Sequence, residues 1–151
     1  LKAEDQRELD RYYEEYKKSI PADEWEETYE NLKNDMLKKA RNSFSNIHAD
    51  ILVKENELQA LADLLKNEPY HVSSYEQHLL PSHSQEVYQL HMTNIRKEAS
   101  QASDRKKYRW TCEDIKELKN LGGVKEANIL IEEFRKKYAN RPAFLDELSK
   151  L

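Results

Sequence analysis

Residues 21–66 read PADEWEETYENLKNDMLKKARNSFSNIHADILVKENELQALADLLK, with no glycine and no proline after Pro21. Apolar side chains recur at Trp25, Tyr29, Leu32, Met36, Ala40, Phe44, Ile47, Ile51, Leu58, Leu61 and Leu65, in steps of 4, 3, 4, 4, 4, 3, 4, 7, 3 and 4. Steps of three and four hold side chains on one stripe of an α-helix, and a sustained repeat of seven is a coiled-coil seam. The fours around Ala40 form a stutter in that repeat, and Lys54 puts a charge in the seam. Pro21 suits the first position of a helix, and Asp23, Glu24, Glu26 and Glu27 then fall where the helix dipole favours acids. The pattern predicts one continuous helix, about 70 Å long at 1.5 Å per residue. Its weakest stretch is Asn42-Ser43-Phe44-Ser45-Asn46, because Ser and Asn side chains compete for backbone hydrogen bonds.

Upstream, Leu9, Tyr12 or Tyr13, Tyr16 and Ile20 place a helix over about 3–19, interrupted at Ser19-Ile20-Pro21. Downstream, Asn67-Glu68-Pro69-Tyr70 closes the long run, and residues 67–84 read as an irregular connector with one helical turn at 75–80. A second long helix is expected from Ser82 or Ser84 to Asp104, with Tyr88, Met92, Ile95, Ala99 and Ala102 as its seam. The connector is long enough for this helix to fold back antiparallel along the first. The last forty residues have a different texture. Thr111 is a candidate N-cap for a helix over 112–121, Gly122-Gly123 stops it, a helix follows over 124–139, and Asn140 caps a last one over 141–151. The expected fold is therefore all-α: an elongated antiparallel coiled-coil hairpin of long helices over 1–109, and a small C-terminal bundle of short helices over 110–151.

Composition agrees with the class. Charged residues make up 36% against 38% hydrophobic, which favours thin helical elements that bury one stripe and solvate the rest. Two glycines and four prolines are too few for the turns of a sheet protein. There is no 18-residue apolar run and no signal-peptide pattern, one cysteine and no glycosylation sequon, so the expected setting is intracellular, cytoplasmic or nuclear, away from membranes. The first residue is Leu1, so a fragment or processed product is expected. The formal net charge of −4 is unevenly spread: residues 1–30 hold 11 acids and 5 bases, whereas 96–109 hold 6 bases against Glu98 and Asp104.

Catalytic and metal patterns find little purchase. His71, His78 and His83 share the connector with Glu76, but no cysteine pair and no His-Glu-x-x-His accompanies them. Glu68-x-x-His71 spans Pro69, where a di-iron bundle needs two such pairs on helices. Cys112 would stand at a helix N-terminus beside Arg109, a setting that lowers a thiol pKa, but no histidine lies close in sequence to serve as its base. Adjacent glycines make no phosphate loop. The expectation is a non-enzymatic scaffold or adaptor with no cofactor and no metal, which assembles with other protein chains, as a hetero-complex or a homodimer.

Two surfaces carry that expectation. The first gathers Tyr12, Tyr16, Trp25, Tyr29, Ile51, Leu52 and Val53. Tyrosine suits interfaces, and Ile51-Leu52-Val53 points in three directions from a helix, so a two-helix hairpin leaves apolar surface for the C-terminal helices, a second copy or another protein to cover. The second is Arg96, Lys97, Arg105, Lys106, Lys107, Arg109 and Trp110, where cations alternate with aromatic rings as in phosphate contact with base stacking; it carries the alternative of nucleic-acid or chromatin binding. Trp110-Thr111-x-Glu113-Asp114-x-x-x-Leu118, with two further helices, resembles the opening of a Myb/SANT three-helix domain over about forty residues. That resemblance implies DNA or histone-tail binding. The chain departs from the pattern in lacking the later tryptophans and in placing Gly122-Gly123 after the first helix.

Overall fold

The computed structural model describes residues 3–40 and 44–151. The side chains of Leu9 and Ala40, and residues Asn42 and Ser43, all named above, lie outside the described residues. Among the described residues the chain is all-helical, with nine α-helices, one 3₁₀ turn and no strand. No described helix is long and apolar enough to cross a membrane. The chain divides into two compact units, residues 1–43 and 44–151.

The first unit holds α1 (Ala3–Ser19) and α2 (Ala22–Ala40). Along one straight rod, Tyr13 and Trp25 would stand about 18 Å apart. Their ring centroids are 6.3 Å apart, and those of Tyr16 and Trp25 6.5 Å apart, so the chain turns back at Ile20-Pro21. Both contacts are edge-on, and Tyr29 stacks on Trp25 at 5.8 Å. Such aromatic pairs contribute about 0.5–1.5 kcal/mol beyond burial. Tyr13, Tyr29 and Met36 are buried here.

The second unit contains α3 (Asn46–Lys54), α4 (Leu58–Leu65), a 3₁₀ turn (Pro69–His71), α5 (Val72–Leu79), α6 (Ser84–Gln101), α7 (Arg105–Asn120), α8 (Val124–Lys137) and α9 (Pro142–Ser149). The single rod expected over 21–66 is thus replaced by α2, α3 and α4. Two physical reasons are visible. Phe44 leaves the helical path: its ring lies 4.0 Å from that of His71, stacked, and its amide donates to Glu68 Oε1 at 3.3 Å. At the other break Asn56 adopts φ +56°, a left-handed conformation that asparagine tolerates better than most residues. The Asn56 amide donates to the Val53 carbonyl and the Glu57 amide to the Leu52 carbonyl, which ends α3 as a glycine would in a Schellman turn.

Helix α6 is the centre of the second unit. Its buried residues Val87, Tyr88, Leu90, Met92, Ile95 and Ala99 cover an arc of about 200° at 100° per residue. A seam needs a narrow stripe; an arc this wide has to be covered from two sides. The 3₁₀ turn, α4 and α5 supply one set of neighbours, and α7 and α8 the other. The long expected connector is correspondingly more ordered than its composition indicates, since Val72, Tyr75 and Leu79 of α5 bury themselves in this unit.

The boundary expected at 109/110 falls inside α7, and the N-cap expected at Thr111 is corrected to Asp104, whose carboxylate accepts from the Lys107 amide at 2.9 Å. The basic segment is therefore the first half of a helix rather than a linker. Tyr108, Thr111, Cys112, Ile115 and Leu118 form its buried stripe. Phe144 of α9 knits this end together, stacked on Tyr108 at 4.7 Å and lying 5.7 Å from Phe134 and 5.6 Å from Tyr138. Arg141, rather than Asn140, stands at the start of α9, and its guanidinium donates to the Ala102 carbonyl at 3.1 Å at the end of α6.

Gly122 closes α7 with φ +109°, its amide donating to the Lys119 carbonyl and that of Gly123 to the Leu118 carbonyl. A Cβ on Gly122 would sit 2.6 Å from the Tyr88 hydroxyl, which itself donates to the Leu121 carbonyl at 3.1 Å. Gly122→Ala is therefore expected to cost about 1–3 kcal/mol of stability through backbone strain and that collision. Urea unfolding measures it; an unchanged midpoint would contradict this turn geometry.

Candidate functional site

A cleft of about 670 Å³ opens between the 3₁₀ turn, α5, α6 and α7. Its walls are rich in titratable groups because α6 turns its polar side there. Glu76 of α5 holds His91 of α6 across the cleft, Oε2 to Nε2 at 2.6 Å. Asn94 donates to the Pro69 carbonyl at 2.9 Å and ties the 3₁₀ turn to α6. Two turns further along α6, Glu98 meets Asp114 of α7. Burial, then the hydrogen bond to Asp114 and the charge of that carboxylate, push the Glu98 carboxyl up to about 8. At neutral pH Glu98 is therefore mostly protonated and donates to Asp114.

The consequence for stability has a definite sign. A group whose folded pKa is raised binds its proton more tightly in the folded state, so its contribution is fully present below the ordinary carboxylate range and is lost as pH rises towards about 8. Glu98→Gln keeps a donor for Asp114 without the ionisation. The variant is expected to melt several °C above the wild-type chain at pH 8 and to lose that advantage near pH 4.5. Thermal melts across that range check it; a variant with no gain at pH 8 would contradict the shared proton.

Of the basic residues expected to meet nucleic acid, three guanidinium groups are engaged inside the fold. Arg105 Nη1 lies 2.6 Å from Asp146 Oδ2 and 2.9 Å from Glu147 Oε1, and Arg109 Nε lies 3.2 Å from the same Glu147 oxygen. Lys150 joins Glu147 at 3.2 Å. Glu147 is buried, and although burial pushes its carboxyl up, the hydrogen bonds from Arg105, Lys150 and Arg109 outweigh this and hold it below the usual range. Arg96 pairs with Glu133 of α8 at 2.9 Å. Lys97 is exposed on the cleft wall. Lys107 reaches Ser103 Oγ at 3.4 Å, and Lys106 Nζ stands 5.1 Å over the ring of Trp110, which is 52% exposed. The seven residues are thus not gathered into one free basic face: α7 commits its arginines to α9 and leaves two lysines and the tryptophan outside.

The first expected surface is also divided. Ile51 and Leu52 are buried within the chain's own second unit and Val53 is half-buried, so the cover expected from a partner comes from the fold itself. In the first unit, Tyr29 is buried and Trp25 half-buried in the aromatic cluster, whereas Tyr12 and Tyr16 remain exposed. Cys112 does not stand at a helix N-terminus. It lies mid-way along α7, buried, and burial first, then the charge of Glu147, pushes its thiol up to about 11, the reverse of an activated nucleophile. His71 stacks on Phe44 and lies 3.3 Å from Glu68. Among the described residues, no three His, Cys, Asp or Glu side chains converge as a metal ion requires.

Sequence reasoning misses two features. Glu98 and Asp114 are sixteen residues apart on different helices, and nothing in either neighbourhood marks the pairing. The outer face of α8, where Ile129 is exposed, lies opposite the buried Ala127, Leu130, Ile131 and Phe134; Val124 is exposed at the first position of the helix. There the signal existed: an isoleucine off the buried stripe of an otherwise charged helix. Compared with protein-family models, with curated proteins and with solved structures, the chain gives no significant match.

Proposed function

We propose that the chain is a helical adaptor that acts by binding other protein chains rather than by catalysis. The observation that supports this reading is what stays outside after the core is satisfied. The apolar residues at 51–65 and 87–99 are largely consumed by the second unit, yet Tyr12, Tyr16, Trp110, Val124 and Ile129 stand on exposed helix faces. Tyrosine and tryptophan are the residue types that interfaces favour, because a rigid ring buries much area at small entropic cost. The internal engagement of Arg105 and Arg109 weighs against a phosphate-binding role for that segment.

Photo-crosslinking residues placed at 12, 16, 110 and 129, one at a time, test the reading in an extract of the cells that make the protein. The expected result is adducts with the same protein partner from at least two positions, abolished by excess unlabelled chain. Adducts with nucleic acid alone, or no saturable adduct at any position, would overturn it.

A further inference from the structure

We infer that the cleft between the 3₁₀ turn, α5, α6 and α7 is a binding site for a linear polyamine, an alkyl chain with spaced ammonium groups; the inference goes beyond the adaptor reading and does not rest on it. Its volume of about 670 Å³ suits a small ligand, since such sites enclose about 300–1,000 Å³. His91, Asn94, Glu98 and Gln101 form one stripe of α6 along the cleft. Glu76 stands at the His91 end. Asp114 stands at the Glu98 end, about 10 Å further along the helix. The cleft thus carries acids at two places separated by the reach of an extended triamine.

Charge selects the ligand. Glu68, Glu76, Glu98, Asp114 and Glu117 line the cleft, and no described lysine or arginine pairs with any of them. Glu76 holds His91, Glu68 holds His71, and Glu98 holds only another carboxylate. Outside the cleft the balance differs: Glu113, beside Asp114 in α7, has Lys116 at 3.2 Å, and Glu133 of α8 has Arg96 at 2.9 Å. Lys97, the one lysine of the cleft wall, is exposed and pairs with no described acid. Burial and the Asp114 carboxylate keep a proton on Glu98 at neutral pH, and an ammonium group seated there replaces that proton as the counter-charge.

A ring supplies the second, independent feature. Tyr70 is 68% exposed in the same wall, yet it is held by His71 at 3.9 Å, which stacks in turn on Phe44 at 4.0 Å. An anchored, uncovered aromatic ring attracts cations and packs against methylenes, and a polyamine offers both. A metal ion fits less well, because among the described residues no three acids or histidines converge on one point. A basic peptide brings a main chain to satisfy, and the helical walls offer it no backbone edge.

Calorimetric titration of the full chain with spermidine at physiological salt tests the site. Saturable binding is expected, at least tenfold tighter than that of 1,3-diaminopropane, which reaches only one end of the cleft. Asp114→Asn with Glu117→Gln, at exposed positions, is expected to weaken spermidine binding about tenfold, and Tyr70→Ala severalfold. Asp63→Asn with Glu132→Gln removes the same charge from exposed acids outside the cleft and is expected to leave the affinity unchanged. Circular dichroism on each variant separates lost binding from lost folding. Should the Asp114 and Glu117 variant unfold, amide shifts in the nitrogen–proton NMR spectrum of the wild-type chain decide, and they are expected between His91 and Gln101 of α6. No saturable binding, equal weakening by the two acid pairs, shifts elsewhere than the cleft, or displacement by an equal concentration of magnesium overturns the assignment. Tighter binding of a lysine- and arginine-rich octapeptide than of spermidine overturns it too. These outcomes bear on the cleft alone, and the crosslinks at 12, 16, 110 and 129 test the adaptor reading separately.

Discussion

Helix α6 cannot be left with either side in water. Its buried side chains wrap an arc far wider than a coiled-coil stripe, and the rest of the second unit follows from covering it. Burial of a single leucine- or isoleucine-sized side chain contributes about 1.5–3 kcal/mol, so exposing one side of α6 would forfeit several such contributions. The chain solves the problem with short helices. A rod has one direction, whereas α4, the 3₁₀ turn, α5, α7 and α8 all pack against α6. The breaks at Phe44 and Asn56 are therefore requirements of packing rather than imperfections in a long helix.

The same arrangement creates the cleft and the ionic clusters. Where α5 and α7 pack against α6, polar residues at its margin meet polar residues of its neighbours across short distances. His91 finds Glu76, and Glu98 finds Asp114. The second pair can exist at neutral pH only by sharing a proton, because two ionised carboxylates at hydrogen-bond distance repel strongly in a half-buried site. At the far side of α7 the logic is reversed. Glu147 is buried yet ionised, since Arg105, Arg109 and Lys150 surround one of its oxygens. The basic run that looks like a nucleic-acid contact in one dimension is in three dimensions mainly the clamp between α7 and α9.

Helical class was legible in the sequence, and so were both ends of α1 and the starts of α6 and α8, because period and punctuation agree there; the end of α6, expected at Asp104, falls at Gln101. The rod over 21–66 was not broken correctly, and the reason lies in one residue. Asn56 does the work of a C-terminal glycine, and its left-handed φ depends on the Val53 and Leu52 carbonyls that it and Glu57 close upon. The seven-residue step between Ile51 and Leu58, with Lys54 in the seam, marked the place without naming the cause. The start of α7 was missed although Tyr108 continues the spacing of Thr111, Cys112 and Ile115 backwards, and Asp104 is a strong cap; the density of positive charge disguised a helix as a linker. Of the residues expected at an interface, Tyr12 and Tyr16 are exposed, while Ile51 and Leu52, for which the C-terminal helices, a second copy or another protein are the expected cover, are buried in the second unit. The α5 and α4 layer supplies cover of a kind that one-dimensional periodicity does not reveal.

Residue-resolved hydrogen exchange under native conditions tests the central claim directly. If α6 is enclosed from two sides, its amides from Val87 to Ala99 exchange only through global unfolding of the second unit, and the first-turn amides of α4 at Leu58, Gln59 and Ala60, which have no helical acceptor before them, exchange orders of magnitude faster. Unbroken protection from Ala22 through Leu65, together with fast exchange along one side of α6, would mean that the rod exists after all and that the enclosure of α6 does not.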